Sequence, residues 1–135
     1  MAVYKINPIG IIRTPYKERG QAPRQTIYSD GAEGIIEIYN KYLEGLEGIE
    51  LYNHIIVLFY FDRSKRYDLK DRPPSSNKPR GVFATRSPYR PNHIGFSILR
   101  LEKVEGNILK VRDVDMLDRT PLIDIKPYVE KLDKK

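Results

Sequence analysis

Alternating apolar and polar positions divide the N-terminal half of the chain into strands. Val3–Arg13 alternates, with Pro8 indicating a sheet edge or a bulge, and Gly34–Tyr39 repeats the pattern. Asn53–Phe61 is instead a continuous apolar and aromatic run. Such a run is typical of a central strand, so we expect this segment to be buried on both faces.

The C-terminal half continues the same alternation. Gly81–Arg86 predicts a fourth strand, Gly95–Val104 and Asn107–Met116 predict a hairpin, and Pro121–Lys135 predicts a last short strand followed by an irregular or helical end. Only Asn40–Gly48 has helical spacing, with Asn40 as the expected N-cap and two glycines that keep it short. The sequence therefore predicts a mainly β fold, a single compact β-barrel-like domain over residues 1–135 with one short helix and long loops.

The amino-acid composition limits the kinds of site and segment that the chain can form. The 135 residues suffice for one hydrophobic core, and the chain has no cysteine and two histidines, which argues against disulfides, thiolate metal sites and a cysteine nucleophile. We therefore expect no metal. No apolar run reaches the roughly 18 residues of a membrane helix, and the first residues do not resemble a signal peptide. These features predict a cytoplasmic protein with no membrane partner.

The formal charge of +6 is confined to one segment. Asp62–Pro91 contains nine Lys/Arg and three Asp, whereas the two signs balance over the remaining residues. A contiguous basic segment is typical of an anion-binding face, most often for nucleic acid. The alternative is a solvated basic loop without a partner.

Within this segment, "RSPYRPNHIG" is the strongest local motif. Pro88 and Pro91 fix the backbone and favour extended geometry in the residues that precede them. Arg86, Tyr89 and Arg90 are thereby held in a restricted arrangement that suits a carboxylate or phosphate and a planar base. The alternative is a rigid structural turn whose arginines bond backbone carbonyls.

Other candidate motifs are weaker. The sequence has no G-x-G-x-x-G after a strand, no P-loop and no G-x-S-x-G. His54, at the start of an apolar strand, is expected to be structural. Asp113 and Asp115 share one face of a predicted strand, where a solvated sheet face is favoured over a metal pair. Two more Pro-containing polar loops, Arg13–Gln25 and Leu117–Tyr128, predict one composite site with the motif above.

At these motifs the sequence resembles the TrmO family. The similarity rests on "IGIIRTPY", "APRQ", "GVFATRSPYRPNHIG" and "LDRTPLIDIKPY", with "HIIVLFYF" between them. It implies an S-adenosylmethionine-dependent tRNA methyltransferase with a β-barrel in place of a Rossmann fold. It also implies methylation of N6 of threonylcarbamoyladenosine beside the anticodon, and a homodimer with the cofactor near the subunit interface. The chain resembles the short, single-domain form of the family.

The resemblance also implies roles for individual residues. The cofactor set lies in five separate segments: Pro23, Arg24 and Gln25; Phe61 and Asp62; Arg86; Phe96; and Asp118, Arg119, Thr120 and Pro121. The substrate set, facing the modified base or the tRNA backbone, is Arg90, Asn92, Lys126 and Tyr128. Arg24 or Arg86 would meet the cofactor carboxylate.

Three residues remain alternatives for the proton acceptor. Asp118, Asp124 or Tyr128 could take the proton from the methylated nitrogen. Two other functions also remain open: a non-catalytic RNA-binding barrel, and a methyltransferase for another RNA or a small molecule. The chain departs from many relatives in having Asp62 after the strand's last phenylalanine instead of histidine. In the "DRTP" turn, Arg119 replaces a glycine, and this predicts a strained or reshaped turn if the backbone there needs a positive φ.

Overall fold

A computed structural model of the chain describes residues 1–18, 20–23, 30–72 and 77–135. The strands are β1 (Gly10–Arg13), β2 (Glu33–Ile38), β3 (His54–Tyr60), β4 (Lys70–Asp71), β5 (Arg80–Gly81), β6 (Ile94–Glu105), β7 (Ile108–Arg112) and β8 (Thr120–Pro127). Three 3-10 helices span Asn40–Leu46, Ile49–Leu51 and Val82–Ala84, and a single α-helical turn, α1, spans Glu130–Asp133.

Six of these strands close into an antiparallel barrel in the order β1-β2-β7-β6-β3-β8, and β1 and β8 pair to complete it. The predicted fold class is therefore confirmed. The core of described residues is aliphatic, apart from a methionine and a phenylalanine: Ile12, Ile36, Ile38, Ile55, Val57, Phe59, Leu99, Leu109, Val111, Val114, Met116 and Leu122.

Strand β3 lies between β6 and β8, but the prediction of burial on both faces is wrong. Ile55, Val57 and Phe59 are buried inside the barrel, whereas Ile56 and Leu58 are only partly covered. Closure gives every strand one enclosed face, so an apolar run in a small barrel leaves its outer residues at the surface.

Strand β1 is shorter than predicted. The helical segment after β2, Asn40–Leu46, also begins differently from the prediction. Pairing begins at Gly10, two residues after Pro8, which has no N–H to donate. Asn40 is not the N-cap of the following segment, which is a 3-10 helix preceded by Tyr39, with no side-chain cap. Glycines in this segment favour a short helix, as expected.

The predicted strand Gly81–Arg86 is wrong. Its centre, Val82–Ala84, is a 3-10 turn in which the Thr85 hydroxyl and N–H both donate to the Val82 carbonyl, at 2.8 and 3.0 Å. A threonine side chain can thereby replace a sheet partner for the backbone. No barrel edge is open to receive another strand, so this segment belongs to an insertion on the outside, residues 62–93, between β3 and β6.

The second strand of the predicted hairpin also ends early. β7 stops at Arg112, and Asp113 has a φ of 74° that turns the chain out of the sheet. Asp113 and Asp115 therefore do not share a strand face.

The "DRTP" turn contains another left-handed residue. Arg119 has a φ of 64°, a region in which a Cβ atom costs roughly 1–2 kcal/mol. We predict that Arg119→Gly raises the free energy of unfolding by roughly 0.5–1 kcal/mol, because the relief of this strain exceeds the extra entropy of glycine in the unfolded chain. Urea denaturation measures the change.

Arg119→Ala is the matched control, since it removes the same charge but keeps the Cβ atom. Its free energy of unfolding should lie below that of the glycine variant. Equal values for the two variants would show that the turn is not strained at this position.

Candidate functional site

Antiparallel closure brings several distant segments to one end of the barrel. The residues after β1, β3 and β7 meet those before β2, β6 and β8 at this end. We call it the loop end, and define it as residues 14–18, 61–64, 92–97 and 113–121. Most of the predicted cofactor residues within the described part of the chain lie here or in the insertion beside it.

Asp118 is held by the segment that follows β1. Its carboxylate accepts hydrogen bonds from the Thr14 N–H at 2.9 Å and from Lys17 Nζ at 2.8 Å, and its own N–H donates to the Tyr16 carbonyl. Burial by itself would raise the pKa of this carboxyl, but the Lys17 and Thr14 hydrogen bonds and the charges of Lys17 and Arg119 hold it below its usual value. Asp118 is thus a weak base that ties two loops together.

Arg63 shapes the adjoining turn, although sequence reasoning did not select it. Its guanidinium donates to the Asp118 carbonyl at 2.7 Å and to Thr120 Oγ1 at 3.2 Å. The Thr120 hydroxyl in turn donates to the Leu117 carbonyl at 2.6 Å. Pro121 follows in β8, paired with Ile11. The only sequence signal for Arg63 is its place directly after the predicted cofactor pair.

That pair, Phe61 and Asp62, leaves β3 at the loop end. The Phe61 ring packs edge to face on Phe59 at 5.2 Å, and the Phe61 N–H donates to the His93 carbonyl. Asp62 is partly exposed and pairs with the Arg63 Nε at 3.3 Å. A carboxylate here can accept hydrogen bonds from a cationic group.

Arg86 and Phe96, both assigned to the cofactor set by the resemblance, lie together in the structure. The Arg86 guanidinium lies over the Phe96 ring, 5.3 Å from its centroid, although ten positions separate them in the sequence. Phe96 is on the outer side of β6, beside the insertion, and is partly exposed. A cation and an aromatic face at one place can contact an anionic group and a planar ring.

Arg90 has a structural task, which agrees with the alternative reading of the motif. Its NH1 donates to the Thr85 carbonyl at 3.0 Å and to the Ser87 carbonyl at 3.2 Å, closing the proline-rich loop on itself. His93 Nδ1 lies 3.0 Å from the Pro88 carbonyl. Asn92 is exposed at the tip of this loop. Of the two, Asn92 is the residue more available to a substrate.

A carboxylate that the sequence analysis placed on a solvated face proves to be enclosed at the loop end. Asp115 accepts a 2.5 Å hydrogen bond from Ser97, a buried serine on the inner face of β6. Burial raises the pKa of the Asp115 carboxyl to about 6, against the lowering effects of Ser97, its own backbone N–H and Arg86. No spacing in the sequence indicates this contact, because it depends on β7 ending at Arg112.

Three predicted residues lie away from this end. Lys126 and Tyr128 are at the opposite end of β8, where the Tyr128 ring packs against His54 at 6.4 Å. Asp124, between the two ends, pairs with Lys126 Nζ at 3.0 Å. At about 3.3 Å per residue, the eight steps from Thr120 to Tyr128 span roughly 26 Å. Of the three alternative proton acceptors, Asp118 alone therefore lies at the loop end.

Part of the first loop, Arg13–Gln25, lies outside the described residues. Pro23 is half-buried at its end, whereas Arg24 and Gln25 lie outside the described residues. Over the ranges that are described, no group of three His, Asp or Glu side chains could hold a metal ion. None of the described helices is long and apolar enough to span a bilayer.

Sequence comparison finds similar proteins over almost the whole chain. The profile of the TrmO_N family, the tRNA-methyltransferase O N-terminal domain, matches residues 11–134. A probable S-adenosyl-L-methionine-binding protein of Pyrococcus abyssi is 48% identical over 93% of the chain and 68% of its own length. The tRNA (adenine(37)-N6)-methyltransferase of Escherichia coli is 39% identical over 96% of the chain.

The fold agrees as well. The crystal structure of TrmO from Pseudomonas aeruginosa superposes with a TM-score of 0.83 at 38% identity, over 99% of the chain. The chain spans 60% of that structure and 59% of the E. coli enzyme. The match runs through the barrel and through every loop that builds the site, and the chain belongs to the TrmO family.

Proposed function

We propose that this protein is an S-adenosylmethionine-dependent methyltransferase that modifies N6 of an adenine in tRNA. The observation that carries the proposal is the match to the E. coli tRNA (adenine(37)-N6)-methyltransferase over 96% of this chain. That match includes the loop end and the insertion, the two regions in which the predicted cofactor residues gather.

The residues at the loop end suit the cofactor's groups. The Arg86 guanidinium suits the methionyl carboxylate, the Asp62 carboxylate suits the ammonium group, and the partly exposed Phe96 ring offers a face for the adenine. S-adenosylmethionine supplies an activated methyl group on a sulfonium. The task left to the protein is to hold the accepting nitrogen in line with that group and to take its proton.

The insertion supports tRNA as the substrate. It carries the whole charge excess of the chain, and it also displays an aromatic ring. Phe83 is 78% exposed on a turn that is anchored by the buried Val82, whose N–H donates to the Leu69 carbonyl at 2.9 Å. Lys70 and Arg80 flank this turn on β4 and β5. An exposed ring among cations is the arrangement that stacks on an unpaired base.

The finer substrate that we propose is threonylcarbamoyladenosine next to the anticodon, which is implied by the family resemblance. A methyltransferase for another RNA or a small molecule, and a non-catalytic RNA-binding barrel, are the competing functions. Analysis of the methylated product separates these functions, because the other methyltransferase would form a different product and the RNA-binding barrel would form none.

We predict that S-adenosylhomocysteine at 100 times its Kd raises the Tm by several degrees, because that saturation adds about 2.7 kcal/mol to stability. With S-adenosylmethionine and tRNA containing threonylcarbamoyladenosine, mass spectrometry of the nucleosides should show one added methyl. Arg86→Ala should weaken cofactor binding at least tenfold by loss of the charge-assisted contact, and Arg100→Ala, in the middle of β6 and paired with His54 on β3, should not.

Each competing function has its own result in that assay. Tight tRNA binding without a thermal response to the cofactor indicates the RNA-binding barrel. Methyl incorporation only into unmodified tRNA, or only into other RNA fractions, contradicts the finer substrate and leaves the methyltransferase activity standing.

We predict that Phe83→Ala weakens tRNA binding about 5- to 100-fold, the loss expected for one stacked base. The Tm and the affinity for S-adenosylhomocysteine should not change, since the ring makes little contact with the fold. Fluorescence anisotropy with labelled tRNA measures the effect. Phe83→Trp should bind normally, and Leu132→Ala, also largely exposed at 69%, is the matched control. Unchanged affinity in Phe83→Ala would remove this ring from the interface.

We also propose the homodimer that the resemblance implies. Residues 1–8 form an irregular exposed arm in which Tyr4 is 86% and Ile6 is 59% exposed. Apolar side chains so placed favour a protein contact.

Sedimentation equilibrium should therefore give twice the 15.8 kDa mass of the chain. The double variant Tyr4→Ser, Ile6→Ser should shift the protein toward monomer, because the arm would lose most of its apolar contact surface. A wild-type monomer that still binds the cofactor would contradict the dimer.

A further inference from the structure

Asp115 is a carboxylate with one oxygen engaged and the other accessible. Oδ1 accepts the Ser97 hydrogen bond, and Oδ2 makes no hydrogen bond to another residue in the described part of the chain. No fully buried side-chain oxygen in the described ranges lacks a partner, so Oδ2 retains some exposure to solvent. The carboxylate is therefore fixed in position by Ser97 and open on one side.

Its neighbours belong to the predicted cofactor site. The charge of Arg86, which lies over Phe96, acts on Asp115 from the insertion. On the other side, Asp115 and Asp30 act electrostatically on Tyr16, whose pKa is raised chiefly by burial and further by these two carboxylates. Phe96 and Ser97 are consecutive residues of β6, so the ring beneath Arg86 and the serine that holds Asp115 are adjacent on one strand, with Phe96 on its outer side and Ser97 on its inner side.

The earlier candidates are less suited to accepting a proton. Asp118 is engaged by Thr14 and Lys17 on both oxygens. Asp124 is paired with Lys126, and its Oδ1 also accepts the Ile125 N–H. Tyr128 lies at the far end of β8. Of these four groups, only Asp115 combines a place at the loop end with a free acceptor oxygen.

We propose that Asp115 is the general base of the methyl transfer, an inference that rests on the proposed function. The adenine N6 attacks the methyl carbon as the carbon–sulfur bond breaks, and the sulfur leaves with that electron pair as neutral S-adenosylhomocysteine. The N–H proton of the positively charged nitrogen passes to Oδ2 of Asp115, and from there to solvent. Ser97 keeps Oδ1 engaged and so directs the other oxygen at the nitrogen.

The acid–base behaviour of the group agrees with this role. A carboxyl with a pKa near 6 is mostly ionised at neutral pH and is a stronger base than an ordinary aspartate. Because its folded-state pKa is raised, its contribution to stability is fully present below the unfolded value and is lost as pH rises through about 6. Ionisation of the Asp115 carboxyl therefore lowers the stability of the folded protein, as is common for functional groups.

The test is Asp115→Asn, assayed by single-turnover methylation of tRNA and by binding of S-adenosylhomocysteine. We expect the rate to fall at least 100-fold, the affinity to stay within threefold, and the Tm above pH 7 to equal or exceed that of the wild type. The wild-type rate should rise between pH 5 and 7 and then level off, and the residual rate of the variant should not follow this rise. Asp115→Glu should recover part of the rate.

Asp113→Asn is the matched control, because it makes the same chemical change two positions away and asparagine tolerates the positive φ there. An unchanged rate in Asp115→Asn, or the same pH profile as the wild type, overturns the inference. Loss of S-adenosylhomocysteine binding with a normal rate at saturating cofactor also overturns it, and assigns Asp115 to cofactor binding. A wild-type protein that methylates no tRNA overturns the proposed function itself, and this inference with it.

Discussion

The placement of β1 between β2 and β8 is the constraint on which the rest of the molecule depends. Gly10 begins this strand, and a Cβ atom there would overlap the backbone carbonyl of Glu37. The close approach lets β1 pair with both neighbours, through Gly10↔Ile38 on one side and Gly10↔Leu122 on the other. With β1 in place the barrel has no free edge, so its strands need no further partner.

Closure also decides where chemistry can occur. The interior is filled by aliphatic side chains, as in other small barrels. Polar groups must therefore gather where strands end or on the outside. Two of the carboxylates at the loop end illustrate the result, since Asp115 and Asp118 are three positions apart and have pKa values shifted in opposite directions. Burial is the largest single influence on both pKa values, but at Asp118 the hydrogen bonds from Lys17 and Thr14 and the nearby cations together outweigh it, and such divergence separates the proposed base from a structural anion.

How much the sequence could predict follows from the range of the interactions. Alternation and apolar runs are local, and they indicated all six barrel strands, five of them to within about four residues at either end, whereas β1 begins seven residues later than predicted. The features that the sequence did not predict depend on specific side-chain contacts, which the pattern of apolar and polar positions does not encode. Thr85 folds Gly81–Arg86 into a turn, Arg63 reaches across to Thr120, and Asp115 meets Ser97 only because the chain leaves the sheet at Arg112.

The hydrogen bonds from Thr14 to Met116 and Asp118 join positions about a hundred residues apart in sequence. Contacts of such long range form late, since the entropy of closing a large loop must be met before they stabilise anything. On the ribosome, β1 emerges before β8, and its apolar inner face stays exposed until that strand follows. The loop end can close only after residues 113–121 have emerged, so a nascent chain that stops short of them cannot make the Thr14 contacts, and its apolar surface is open to a chaperone until then.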